Sequence, residues 1–170
     1  MSKPFIKIIL SLVMILLFIA MAKLILPSNH FERVVPLNGI RFGMSPVEVC
    51  SQFGFPEKLQ QSSLAPEVTY TFLSEYCGYP ATINATFVRS GLHYMLYSAN
   101  IHIDIPSEEQ SKMFNSLIEE CQLEYRSTDT YREKIGADSA EFELSYGPVL
   151  LGCTVKKGQS SIEIGVVRAW

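Results

Sequence analysis

The 170-residue sequence has none of the short patterns that mark the common catalytic and nucleotide-binding sites. There is no G-x-S-x-G elbow, H-E-x-x-H zinc pair, Walker A loop or Rossmann glycine fingerprint, so no cofactor is expected. No C-x-x-C occurs, which argues against a zinc ribbon or a dithiol redox motif. Lysine and arginine form no run longer than two residues, and the net charge is −3. A phosphate-backbone ligand needs clustered positive charge, so nucleic acid is excluded as an expected partner. No acidic residue precedes Glu32, and the first cysteine, Cys50, stands far from where a lipid-modified cysteine would follow an export segment.

What is present divides the chain in two. Apolar residues make up 48% of the whole and mean hydropathy is +0.17, but 20 of them fall within residues 1–26. The remainder has the composition of an ordinary soluble domain. Lys3 and Lys7 precede an apolar run from Ile8 to Ala22 broken only by Ser11. That is the layout of an export signal, with Ala20-Met21-Ala22 as a small-x-small cleavage site. Apolar character resumes at Leu24-Ile25-Leu26, and a run from residue 8 to 26 makes about 28 Å of helix, close to a hydrocarbon core. Two outcomes follow. In one, residues 8–26 anchor a single-pass inner-membrane protein with a periplasmic C-terminal domain. In the other, cleavage near Ala22 leaves a periplasmic or secreted protein. Both translocate the rest of the chain. Residues 27–38 read as a linker and 39–170 as one exported domain. Without Lys3, Lys7 and Lys23 the charge falls to 11 basic against 17 acidic residues, near −6. Such a surface suits a basic partner.

The four cysteines, Cys50, Cys77, Cys121 and Cys153, all fall in the exported part, where an even count favours disulfides. Three pairings are possible. Cys50–Cys77 and Cys121–Cys153 is preferred, because each half of the domain carries one cysteine on a helix and one near or within its strands.

Ser45 followed by Glu48 is a capping box, and Pro46 sits at the first helical position. Gly54 can take the left-handed conformation that ends a helix, and Pro56 blocks continuation. A two-turn helix over 46–53 follows. Residues 59–66 read as polar loop. Glu67–Ser74, Ala81–Val88 and Leu92–Ile103 alternate or run β-rich, with turns at Gly78-Tyr79-Pro80 and Ser90-Gly91. Ser107 and Gln110 suggest a second capping box, and Phe114, Leu117, Ile118 and Cys121 form an apolar stripe at helical spacing. Further β-like segments lie at 124–132, 139–146, 148–156 and 160–168. The expected fold is α+β: two short helices packed on one face of an antiparallel sheet of about six strands, a possible αβββ duplication, preceded by the membrane or signal helix.

The segment from Gly39 to Pro56 resembles the helix-entry motif of small bacterial envelope proteins. These are the BamE-like (SmpA/OmlA) lipoproteins and the related β-lactamase-inhibitor-protein-like fold. Phe42, Gly43, Met44, Ser45, Val49, Phe53, Gly54 and Pro56 fit the shared pattern. The resemblance implies helices on one face of an antiparallel sheet, and binding to other proteins rather than catalysis.

Candidate reactive groups are few. His30 lies in the linker, while His93 and His102 are nine residues apart in one expected strand, on opposite faces if that strand is regular. A metal pair is therefore not expected. Asp104 and Glu143 could form a carboxylate pair, and Asn84-Ala85-Thr86 matches a glycosylation sequon. Tyr70, Tyr76, Tyr79, Tyr94 and Tyr97 are concentrated in the first half, where tyrosines could supply a recognition surface or pack in the core. The sequence thus suggests a non-catalytic periplasmic binding module, either an inhibitor or immunity protein or an envelope accessory factor. A structural assembly protein is the alternative, and an unrecognised hydrolase is a third reading.

Overall fold

The computed structural model describes Val34, Leu37 and residues 39–63, 65–126, 130–146 and 149–169. The expected membrane or signal helix over 1–26 lies outside the described residues, as does His30. Among the described residues no helix is long and apolar enough to cross a membrane. Val34 is buried, and its amide donates to the Ile40 carbonyl at 3.1 Å, so the end of the expected linker is already part of the core.

The elements in order are α1 (Pro46–Phe53), β1 (Lys58–Gln61), β2 (Glu67–Tyr76), β3 (Tyr79–Ser90) and β4 (His93–Asp104), then α2 (Ser107–Tyr125), β5 (Arg132–Ile135), β6 (Ser139–Tyr146), β7 (Val149–Lys157) and β8 (Ser161–Ala169). All strands belong to one antiparallel sheet in the order β1-β2-β3-β4-β8-β7-β6-β5. The expected α+β layout of about six strands is therefore corrected to a predominantly β fold built on eight. The two added strands are the sheet edges. β1 and β5 have four residues each, every one exposed, so neither carries the alternation that betrays a half-buried strand. β1 falls largely where a polar loop was expected. β5 shares only Arg132 with the segment expected over 124–132 and runs beyond it, while α2 continues to Tyr125.

Each half contributes a helix followed by a four-strand meander, and the halves join where β4 pairs with β8. The expected αβββ repeat is thus one strand too short in each half. On one face of the sheet Phe87, Leu96, Ile101, Ile164, Cys153 and Phe142 are essentially fully buried. Val49 of α1 and Phe114, Leu117, Ile118, Cys121 and Tyr125 of α2 complete that core. Each such apolar side chain contributes roughly 1.5–3 kcal/mol by leaving water.

Local chemistry explains the helix ends. The Ser45 amide donates to Glu48 Oε2 at 2.7 Å, and the Glu48 amide to Ser45 Oγ at 3.3 Å. The Ser45 amide and the Ser45 hydroxyl, the latter donating to Glu48 Oε2 at 2.8 Å, hold the Glu48 carboxyl below its ordinary range. At the other end Gly54, at φ +83°, donates its amide to the Cys50 carbonyl at 2.8 Å. Just before the helix, Gly43 donates to the Leu96 carbonyl at 2.9 Å and Leu96 donates back to the Met44 carbonyl at 2.8 Å, clipping α1 to β4. The start of α2 differs from expectation. Pro106, not Ser107, occupies the cap position and makes no side-chain capping bond. The Ser107 hydroxyl instead donates to the Gln159 carbonyl at 2.9 Å, in the turn before β8. Gln110 is buried rather than completing a box.

The turn between β2 and β3 is Cys77-Gly78, one residue earlier than expected. Both residues have positive φ (+51° and +85°), as a tight two-residue hairpin requires. Tyr79 and Pro80 already belong to β3, opposite Tyr76 and Glu75.

Candidate interaction surface

The second face of the sheet is covered by neither helix. One register row crosses the six inner strands through Thr71, Asn84, Asn100, Gly165, Thr154 and Glu141, with Lys58 and Lys134 at the two edges. Paired residues in an antiparallel sheet point to the same side, so these side chains share the open face. Hydroxyls and amides along it bond to one another. The Thr69 and Thr86 hydroxyls lie 3.0 Å apart, and the Thr71 hydroxyl donates to Asn84 Oδ1 at 2.8 Å.

The chemistry changes along the strands. At one end the face carries Val88, Met95, Leu150 and Val167, the last two about half exposed. The middle is small and polar. At the other end His102 Nε2 lies 3.3 Å from Asp104 Oδ1 and His102 Nδ1 lies 3.6 Å from Glu163 Oε1, with Lys156 paired to Glu163 across β7 and β8. Between the middle and this end lies a groove of about 580 Å3 lined by Thr82, Asn84, Asn100, His102, Thr154, Lys156, Glu163 and Gly165 among others.

A bulge in β4 sets this arrangement. The register shifts between Thr86 and Phe87, so that Phe87 pairs with Leu96 and Thr86 with Ser98, leaving Tyr97 unpaired. The extra residue reverses the alternation. His93 and His102, expected on opposite faces, consequently share the open face, but nine residues of strand, roughly 30 Å, separate them. Among the described residues no group of three or more His, Cys, Asp or Glu side chains could hold a metal ion. Asp104 and Glu143 share the open face too. β8 and β7 lie between their strands, so they form no carboxylate pair. Asn84 of the sequon sits within β3, hydrogen-bonded to Thr71 rather than presented on a loop.

The five tyrosines do not form one surface. Tyr70, Tyr76, Tyr79 and Tyr94 pack against the core on the helix side, and Tyr97 alone of the five joins the open face. Tyr76 donates to Glu120 Oε2 at 3.3 Å and Tyr79 to Glu109, so both tie the end of the first hairpin to α2. Burial, then the Glu120 charge, raise the Tyr76 phenol far above its usual range and keep it a donor. Tyr97 donates to Glu67 Oε1 at 3.1 Å, reaching across β3.

All four cysteines are free thiols. Cys121 of α2 and Cys153 of β7 are fully buried with sulfurs 3.8 Å apart. The hydrogen bond between them, then burial, raise the Cys121 thiol strongly and favour its protonated form. Cys50 is half-buried on α1, while Cys77 is exposed in the β2–β3 turn. Sequence reasoning missed the open-face groove itself. Its one legible sign was the alternation of Thr82, Asn84 and Thr86 against Ile83, Ala85 and Phe87. No protein-family model, curated protein or solved structure matches the chain.

Proposed function

We propose that the domain is a non-catalytic protein-binding module held on the outer side of the inner membrane or released into the periplasm, where it acts as an inhibitor, an immunity protein or an envelope accessory factor. The observation that carries this reading is the sheet's division of labour. One face is filled by core side chains, and among the described residues the other is a broad, register-locked surface with no element laid over it. A rigid sheet face costs little conformational entropy on binding, and its gradient from apolar to polar to charged offers a partner several kinds of contact. The helix-entry segment around Gly43-Met44-Ser45, and the Lys3/Lys7-led apolar run, support the envelope setting.

A photo-crosslinking amino acid placed at Thr71 or Thr154 tests it in envelope preparations. One reproducible protein adduct from the open face is expected, with none from a probe at Leu123 on the outer side of α2. Adducts that are absent, or equally abundant from Leu123, would defeat the reading. Mass spectrometry of the mature N-terminus decides the topology: a chain beginning at Lys23 is a released protein, and an intact N-terminus an anchored one.

A further inference from the structure

We propose that the groove over Gly165 receives a basic side chain, an arginine or a lysine, carried on an extended segment of the protein partner; this rests on the protein-binding reading above.

Shape is the first argument. A Cβ added at Gly165 would stand 3.0 Å from Thr154 Oγ1 and 3.1 Å from Asn100 Oδ1. Any side chain on β8 at this point would close the space between β4 and β7, and glycine leaves it open. The second argument is the character of the walls. Asn100 Oδ1 and Thr154 Oγ1 flank the opening, and both can accept hydrogen bonds. Asn84 Oδ1, already accepting from Thr71, has a second lone pair available.

Charge selects the occupant. At the groove's end of the open face Glu75, Asp104 and Glu163 stand against Lys156, while Lys58, Arg132 and Lys134 lie on the edge strands, the last two paired with Glu143 and Glu141. His102 engages Asp104 and Glu163 from one side only, and both acids remain largely exposed. An acidic segment would meet Asp104 and Glu163 at this end, whereas a guanidinium could combine one of those carboxylates with the oxygen acceptors through its fork of donors. A second copy of this acidic chain, of sequence pI near 5.6, is a poor occupant on the same ground.

The test uses the full chain in detergent micelles and two capped peptides, Gly-Ser-Arg-Ser-Arg-Ser-Gly and the same peptide with glutamate for arginine. Backbone amide shifts are followed by NMR. The arginine peptide is expected to move Asn100, Thr154 and Gly165, weakly and salt-sensitively, and the glutamate peptide to leave them in place. Asp104→Asn with Glu163→Gln should weaken apparent affinity roughly five-fold, the range for two exposed charge contacts. Gly165→Ala should abolish the groove shifts. Thr154→Val, which keeps the shape and removes the acceptor, is the second variant if the alanine disturbs the sheet. Equal shifts from both peptides, shifts centred on Glu108 and Glu119 of α2, or peptide-independent self-association would overturn the proposal. A crosslinked protein partner whose yield is unchanged in the Asp104→Asn/Glu163→Gln chain would remove the groove as the docking point and leave the protein-binding reading standing. Absence of open-face adducts from the unsubstituted chain would instead remove that reading.

Discussion

The two faces of the sheet are built from the same strands, often from adjacent residues, and differ in almost everything else. In β3, Ile83, Ala85 and Phe87 are buried while Thr82, Asn84 and Thr86 remain half-exposed on the other side. In β7, Leu151, Cys153 and Val155 alternate with Gly152, Thr154 and Lys156. The covered face holds the fold by removing apolar surface from water. The open face adds little to that sum, so its residues are free to be chosen for contact chemistry. Stability and recognition are thereby separated by a single step along the chain.

The sharpest way to break this contrast is to truncate matched neighbours. Phe142→Ala, in the covered face of β6, should cost about 3–5 kcal/mol in urea unfolding, from lost burial and the cavity left behind. Glu141→Ala, one residue away on the open face, should stay within about 0.5 kcal/mol. Comparable losses at both would mean that the open face is also a core. Next in size is the thiol pair. Oxidation should join Cys121 to Cys153, whose sulfurs already lie 3.8 Å apart, and raise stability by about 3–4 kcal/mol in the chain-entropy model. Non-reducing peptide mapping and melting with and without a dithiol reductant check both halves of that statement; an unchanged Tm after reduction would refute it.

Ser45→Ala removes the α1 cap and should cost about 1 kcal/mol, read from the denaturation midpoint. The smallest effect concerns pH. Burial raises the Glu120 carboxyl above its ordinary range, partly offset by the bond from Tyr76. The folded chain therefore holds that proton more tightly than the unfolded one. Its contribution favours folding below the ordinary carboxyl pKa and is lost as pH rises through the higher folded value. Glu120→Gln should flatten that decline in urea midpoints measured across the acid range, and an identical slope would contradict the assignment.

Much of this was legible beforehand, and the gaps have physical causes. The helix over 46–53 was readable because Ser45, Pro46, Glu48 and Gly54 act within one short segment, each satisfying or ending local hydrogen bonding. The long strands were readable from alternation. β1 and β5 were not, since an edge strand with every residue exposed has no pattern to show. Ser107 misled because a serine that suits a cap was drawn to Gln159, a contact 52 residues away. The faces of His93 and His102 could not be counted from spacing, because the bulge at Tyr97 inserts one residue into the alternation. The tyrosines looked like one surface in sequence, yet strand parity sends four to the helix side and Tyr97 to the other.

By itself the sequence determined an apolar N-terminal run led by lysines, an acidic remainder, the capped helix and the alternating strands, because composition, capping and period-two burial are local properties. Only the tertiary structure decided that the strands form one eight-stranded sheet, that β4 and β8 join its halves, that Cys121 meets Cys153, and that Asn100, Thr154 and Gly165 meet in one groove. Those residues come from separate strands, and register between strands follows from packing the covered face, which no single segment encodes.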